Sequence, residues 1–297
     1  MRAKGTQKGY FGSKKRLAVQ LCKKLPPHSA WVEAFCGSAA LTFAKKPAPV
    51  EVINDLDCEI INFFEQLRDN EKRLCRAIAL TPYARKELDL ARKPQRKATK
   101  LERARRFLVS SMMAINGVFG KERGGFSYSD SYVRSGREAR VNRWYNLPKR
   151  ISKFVERLRG VRVENKDARK LLKQFADKPA ALIYLDPPYF ADRTNGYNHD
   201  ANDLKFHREL LRLANRARCM IFISGYQNTL YRKMLTTKKG WHTKTIKATT
   251  RDSSGKTHER TEVVWMNKHF LKAQKSGKIP VRLSKRETKL NKVNPTR

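Results

Sequence analysis

Five short apolar runs restrict this chain more than any other feature: Trp31–Phe35, Val50–Ile53, Ala181–Leu185, Met220–Ser224 and Glu262–Met266. Each is bounded by turn residues and apolar at successive rather than alternate positions, the mark of a strand covered on both faces. Segments of helical spacing lie between them. Leu17, Leu21 and Leu25 share one side of residues 14–24, with lysines opposite. Leu56, Ile60, Ile61, Phe64 and Leu67 do the same over 56–67, as do Leu204, Leu210, Leu211 and Leu213 over 203–217. No internal repeat is present, so a solenoid is not expected. The pattern predicts an α/β fold with a mainly parallel sheet.

The pattern has one long interruption. Between about residues 71 and 160 no buried strand run occurs. Arg85 to Arg106 instead holds ten Lys/Arg opposed only by Glu87, Asp89 and Glu102, and reads as basic helix. An apolar helix, Phe107–Ile115, follows, and then the glycine-punctuated segment Asn116–Phe126, which predicts a β-hairpin or ordered loop. Residues 1–70 and 161–267 are therefore expected to form one discontinuous sheet domain, with 71–160 inserted as a second domain. From Lys268 the chain carries ten Lys/Arg against the single Glu287, and residues 268–297 read as a loosely structured basic tail.

Composition then narrows the class. The 297 residues carry 66 Lys+Arg against 27 Asp+Glu, a formal charge of +39. Such a polycation pairs with polyanions, nucleic acid ahead of membrane surfaces. No stretch approaches the ~18–20 apolar residues of a membrane-spanning helix, and the first twenty residues lack a signal-peptide core. Cys22, Cys36, Cys58, Cys75 and Cys219 are odd in number and contain no C-x-x-C pair, and the six histidines show no metal-ligand spacing. Free thiols in a reducing cytoplasm and no metal are expected.

Three motifs carry chemistry. Asp186-Pro187-Pro188-Tyr189 follows the Ala181–Leu185 run, where open α/β sheets bind ligands. Asp186 offers a carboxylate, Pro187 a carbonyl outside any ladder, and Tyr189 an aromatic face. Two acceptors and a stacking platform suit a planar group bearing an amine; a plain turn leaving a strand is the alternative. Phe35-Cys36-Gly37-Ser38-Ala39-Ala40 leads from strand to helix through small residues, which lets backbone approach a nucleotide-like ligand or simply makes an ordinary turn. Asp55 ends the next strand and suits either ribose hydroxyls or the N-cap of helix 56–67.

In combination and order these motifs resemble the Dam-type (α-class) DNA adenine-N6 methyltransferases, over roughly residues 8–267. Lys8-Gly9-Tyr10-Phe11-Gly12-Ser13-Lys14 is similar to the family's N-terminal cofactor segment, Phe35-Cys36-Gly37-Ser38 to its glycine loop, Asn54-Asp55 to its acid motif and Asp186-Pro187-Pro188-Tyr189 to its catalytic motif. Ala34 and Ala39 stand where the family often has Pro and Gly. Asn116–Phe126 resembles its recognition hairpin. The resemblance implies a Rossmann-like S-adenosylmethionine-dependent methyltransferase domain with an inserted, mostly helical target-recognition domain. It implies a site-specific enzyme of the restriction-modification kind, acting on double-stranded DNA with the target adenine flipped out; the sequence does not fix the oligomeric state, with a monomer favoured. A cytoplasmic setting in a bacterial or phage-infected cell goes with it.

Residue by residue, the resemblance assigns catalysis to Asp186, Pro187 and Tyr189. It assigns S-adenosyl-L-methionine to Tyr10, Lys14, Phe35, Gly37, Ser38, Asp55 and Asp186. Asp167 is a further candidate for the cofactor's adenine, or else the N-cap of helix 168–176. Lys121 and Arg123 are placed to reach bases. Arg134, Arg137, Arg140 and Arg143 would form one basic stripe on a helix, meeting phosphates or merely solvent. Two rival readings are an RNA adenine or cytosine-N4 amino-methyltransferase, and a catalytically inactive nucleic-acid-binding protein on the same scaffold.

Overall fold

The computed structural model describes residues 15–94, 97–115, 125–130, 132–188, 204–251 and 257–281. In chain order the elements open with α1 (Lys15–Cys22), β1 (Ala30–Glu33), α2 (Ala40–Ala44), β2 (Val50–Asn54) and α3 (Cys58–Asp69). Five helices and a small hairpin come next: α4 (Glu71–Ala79), α5 (Arg85–Ala91), α6 (Lys100–Met113), β3 (Val133–Arg134), β4 (Arg137–Glu138), α7 (Ala139–Tyr145) and α8 (Leu147–Leu158). The sheet then resumes with β5 (Arg162–Glu164), α9 (Ala168–Phe175), β6 (Ala181–Leu185), α10 (Leu204–Arg216), β7 (Met220–Gly225) and α11 (Thr229–Met234). It closes with β8 (Trp241–Arg251), β9 (Thr257–Asn267) and α12 (Lys268–Ser276). No helix among the described residues is long and apolar enough to cross a membrane.

Seven strands form one sheet in the order β5-β2-β1-β6-β7-β9-β8. The pairs β5/β2, β2/β1, β1/β6 and β6/β7 are parallel, and β9 runs antiparallel to both β7 and β8. All five expected apolar runs are strands of this sheet. Two strands escape that criterion because they are edges. β5 has a single apolar residue, Val163, and the described side chains of β8 leave His242, Thr243, Lys244 and Thr245 exposed.

From β1 the chain proceeds outward through β2 to β5, whereas from β6 it proceeds the opposite way to β7. The reversal opens a crevice beyond the carboxyl ends of β1 and β6, the place where doubly wound sheets bind ligands. Alternation along the strands builds a core on each face. Val32, Ile183, Leu185, Ile221 and Ile223 pack with Leu171, Leu172 and Phe175 of α9 and Leu210 and Leu211 of α10. Trp31, Leu182, Tyr184 and Phe222 face the other way, toward Leu21 of α1, Leu41 of α2 and Phe270 of α12.

A third core joins the interruption to the sheet. Ile60, Phe63, Phe64 and Leu67 of α3 pack with Leu74 and Ile78 of α4, Leu108 and Met112 of α6, and Ile151, Phe154 and Leu158 of α8. The basic stretch is not one helix: α5 stops at Ala91 before Pro94. Thr99 then caps α6, accepting from the Glu102 amide at 3.2 Å, and α6 carries the expected apolar segment as its own second half. The expected loose tail also begins differently. Asn267 caps α12 by accepting from the Phe270 amide at 3.0 Å, and Phe270 and Ala273 are buried against the sheet. Counting charge hid an amphipathic helix there.

Candidate active site

The loop after β1 is shaped by two left-handed residues. Gly37 has φ +48, and a Cβ built there would project into open space; Ala39 has φ 50. Left-handed backbone suits glycine and strains alanine. The turn is closed by the Ala39 amide donating to the Cys36 carbonyl at 2.6 Å, and it is tied to β2 by the Cys36 amide donating to the Asn54 carbonyl at 2.8 Å. Asn54, almost fully buried, holds two loops together. Its Nδ2 donates to the carbonyls of Ala34 and Lys166, both at 2.9 Å, and its Oδ1 accepts from the Lys166 amide at 2.9 Å.

Beside this loop Asp55 accepts from the Gly37 amide through Oδ2 (2.8 Å) and from the Asp57 amide through Oδ1 (3.1 Å). Burial raises its carboxyl above the usual aspartate range, against the pull of those amides. The N-cap alternative for Asp55 fails, because the helix starts at Cys58 and Asp57 caps it, accepting from the Glu59 amide at 2.8 Å. Phe35 presents its ring edge-on to Phe206, 6.3 Å between centroids, with the Arg169 guanidinium 4.9 Å from the Phe206 centroid.

Asp186 leaves β6 at the opposite lip of the crevice, and Pro187 behind it is buried. Ser224, fully buried at the end of β7, donates its hydroxyl to Asp186 Oδ1 at 2.9 Å. That commits the serine proton, so the Tyr184 hydroxyl, 2.7 Å away, donates to the Ser224 oxygen. Tyr184 itself is clamped between Phe222 and Trp31, at centroid distances of 4.6 and 6.4 Å. A side chain pinned through such a network holds its rotamer before any ligand arrives.

Glu33 is a second acid beneath the crevice. It is 2% exposed and accepts from both the amide (2.9 Å) and the hydroxyl of Thr42, whose oxygen takes the Trp31 indole N–H at 2.7 Å. Burial is the main reason its pKa rises to about 7, and the charge of Asp186 adds to it. The Thr42 carbonyl in turn accepts from Arg157 of α8 at 3.1 Å, which ties the inserted helices to this layer.

A model of the D12 class N6 adenine-specific DNA methyltransferases matches residues 10–251. The chain belongs to this family. Among curated relatives it is similar to the Type II methyltransferase M1.LlaDCHI of Lactococcus lactis subsp. cremoris, with 26% identity over 190 residues, 61% of this chain and 64% of that protein. The match thus spans less than two thirds of that relative's length. Solved structures resemble the D12-class chain only distantly. The putative methyltransferase yhhF of Escherichia coli has a TM-score of 0.34 at 10% identity, covering 85% of this chain and 84% of its own. The rRNA methyltransferase aviRa of Streptomyces viridochromogenes has a TM-score of 0.37 at 13% identity, covering 90% of each chain. These likenesses are too distant to assign an activity.

In this D12-class chain the structure brings Phe35, Gly37, Ser38, Asp55, Asp186 and Pro187 to the carboxyl ends of β1, β2 and β6. Tyr10, Lys14, Lys121, Arg123 and Tyr189 lie outside the described residues. Asp167 caps α9, accepting from the Arg169 amide at 2.8 Å, and is clamped by the Arg169 guanidinium, which holds its carboxyl below the usual range. The arginine stripe is not helical throughout: Arg134 and Arg137 belong to the β3/β4 hairpin, and only Arg140 and Arg143 lie on α7. Arg143 is half-buried, and burial with Arg150 and Arg140 nearby lowers its pKa. Sequence reasoning did not single out Glu33, Asn54 or Ser224 as site residues. Their only signal was a polar residue inside or ending an otherwise apolar run.

Proposed function

We propose that this chain transfers a methyl group from S-adenosylmethionine to the N6 amino group of adenine in DNA. The observation that carries the reading is the Asp186 carboxylate, fixed by Ser224 at the switch point of the sheet, at the carboxyl end of β6 beside the β1 and β2 ends that carry the Gly37–Asp55 loop. The residues present fit the cofactor: the open space before Gly37 admits a ligand against bare backbone, and Asp55 supplies a carboxylate for ribose hydroxyls. When bound, S-adenosylmethionine supplies an electrophilic methyl on a sulfonium. Phe35, Gly37, Ser38 and Asp55 would hold it, with Tyr10 and Lys14 assigned by resemblance.

The chain's own part in the reaction is positioning. An adenine amino nitrogen is a weak nucleophile because its lone pair is delocalised into the ring. Asp186 and the Pro187 carbonyl accept its two N–H bonds and so favour a pyramidal nitrogen whose lone pair points at the methyl. Tyr189 stacks on the base. No covalent enzyme intermediate is needed: the nitrogen–methyl bond would form as the methyl–sulfur bond breaks, a neutral thioether would leave, and the nitrogen would shed one proton by way of Asp186 to solvent, with orientation and fixed acceptors doing the work. Reaching the amino group inside a duplex requires flipping the base, at roughly a few kcal/mol of lost stacking.

Residues 1–70 and 161–267 serve as the catalytic part and 71–160 as the target-recognition part, rooted in the sheet through the core that α3 shares with α4, α6 and α8. Arg140 and Arg143 on α7 meet phosphates, and Lys121 and Arg123 reach bases. The test is to incubate the full chain with S-adenosylmethionine and either DNA or RNA, then digest to nucleosides and identify the products by mass spectrometry. N6-methyladenine from DNA is the expected result. Modified RNA beside untouched DNA, or N4-methylcytosine, overturns the reading.

A further inference from the structure

A cavity of about 310 Å³ lies on the sheet face that carries Trp31 and Phe222, and it shares no lining residue with the crevice described above. Its volume is within the ~300–1,000 Å³ of small-molecule sites. Its floor comes from five elements: Leu21 of α1, Phe222 of β7, Ile246 of β8, Val264 and Met266 of β9, and Phe270 of α12. The cavity exists because β8 is an edge strand. The helices on this face bury Leu21 and Phe270 over the inner strands, while Ile246 beside them stays partly buried. An apolar hollow of this size gives water few partners and suits an apolar body. It is also preformed. Phe222 stacks on Tyr184 and meets Phe270, at centroid distances of 4.6 and 5.6 Å, so the floor does not collapse inward.

The mouth has the opposite character. Lys23 and Lys24, just beyond α1, and Lys244 on β8 line it and are exposed, whereas no acidic residue lines the cavity. Lys244 pairs across from Val264, and Ile246 projects from the same side of β8, so charge and apolar floor stand side by side. Hydrogen bonding with Lys24, and then the Lys24 charge, lowers the Lys244 pKa; the two side chains meet at the mouth. Gln274 of α12 donates to the Lys24 carbonyl at 2.6 Å and holds that part of the rim. The ends of the chain are poor occupants. Residues 1–14 and 282–297 hold ten Lys/Arg against one Glu, and a lysine rim repels them. A DNA duplex is too wide to enter and would leave the apolar floor uncovered. Charge complementarity selects a small anion from outside, apolar apart from its head.

We propose that this cavity binds a small amphipathic carboxylate, its hydrocarbon part against Phe222, Val264 and Phe270 and its head between Lys24 and Lys244. Such a site needs neither DNA nor S-adenosylmethionine, so it stands apart from the methyl-transfer reading.

The experiment titrates the full-length wild-type chain calorimetrically with decanoate below its micellar concentration, and with decanol and decyltrimethylammonium as neutral and cationic counterparts. Ile246→Trp fills the cavity from the edge strand. Lys24→Gln with Lys244→Gln removes the charges at the mouth. Lys149→Gln with Lys153→Gln removes two exposed charges on α8, outside the cavity, as a control for general attraction to a basic surface. The expected result is one decanoate per chain, with the alcohol bound more weakly and the cation not bound. Decanoate affinity should fall about tenfold without the mouth lysines, hold in the α8 control and vanish in Ile246→Trp. Three outcomes overturn the proposal: no saturable binding of decanoate to wild type, equal weakening by the two lysine pairs, or wild-type affinity in Ile246→Trp. Thermal melting shows whether each variant keeps the fold. If Ile246→Trp does not, the comparison of the two exposed lysine pairs decides by itself.

Discussion

The Gly37 amide donates to Asp55 Oδ2 at 2.8 Å, joining the loop after β1 to the end of β2. One carboxylate therefore fixes the loop that would cradle the cofactor and, under the proposed function, also meets the ribose hydroxyls. These two duties separate by substitution. Asn retains a carbonyl oxygen for the Gly37 amide, whereas Ala leaves that amide and the Asp57 amide without their acceptor.

Calorimetric titration with S-adenosylmethionine should show Asp55→Asn weaker by about tenfold and Asp55→Ala by about a hundredfold, consistent with charge-assisted hydrogen bonds of roughly 1.5–3 kcal/mol. Wild-type affinity in Asp55→Ala would remove Asp55 from the cofactor site.

A second test concerns the relay Tyr184–Ser224–Asp186. Ser224→Ala takes the donor from Asp186 and the acceptor from a buried tyrosine, so it should cost about 1–3 kcal/mol of stability. Under the proposed reaction it should lower kcat by about 10- to 100-fold and leave DNA affinity unchanged. Tyr184→Phe keeps the serine on Asp186 and should cost only about 1 kcal/mol, with little loss of kcat. Equal kcat losses in the two variants would mean that the serine does not orient Asp186.

Much of this arrangement was legible in the sequence, because a run such as Ala181–Leu185 can satisfy its burial only inside a covered sheet, and the acid that follows must then sit at the ligand end. Ser224 and Glu33 were not legible as site residues. Each reads as the polar end of an apolar strand, and its role depends on a neighbour far along the chain: Ser224 on Asp186, Glu33 on Thr42. The arginine stripe failed for a related reason. Spacing of three or four residues suggests a helix, but Ser135-Gly136 takes a left-handed turn between Arg134 and Arg137, and turn chemistry overrides periodicity there. The α12 helix was hidden because its lysines dominate composition while only Phe270 and Ala273 are buried.

Glu33 makes stability pH-dependent in an unusual direction. Its folded pKa, about 7, lies above the 4.5 of an ordinary glutamate, so the native state holds the proton more tightly. The stability this contributes is fully present below about pH 4.5 and is lost as pH rises through 7, by about 3 kcal/mol over that window. Urea unfolding of wild type and Glu33→Gln between pH 4.5 and 8 should show the wild type losing more stability with rising pH than the variant. Parallel pH profiles would show that Glu33 does not titrate as its burial demands.

Arg157 offers the sharpest test of how the inserted helices are fastened to the sheet. Glu51, whose side chain is 1% exposed, is bonded by Lys45 at 2.6 Å and by Arg157, and its Oε1 also accepts from the Ala48 amide at 3.0 Å. Burial alone would raise the Glu51 pKa, but the Arg157 and Lys45 bonds outweigh it and the net shift is downward. A depressed carboxylate stabilises above its unfolded pKa and loses that contribution as pH falls through the folded value, the reverse of Glu33. Removing Arg157 leaves a buried charge short of a partner and costs about 3–5 kcal/mol, whereas replacing both charges by neutral groups of similar size costs much less. Urea unfolding at neutral pH of Arg157→Met, Glu51→Gln and the double variant should therefore show the double variant more stable than Arg157→Met alone. Strict additivity of the two single losses would mean that α8 is held by its apolar face, through Ile151, Phe154 and Leu158, and that the ion pair adds nothing of its own.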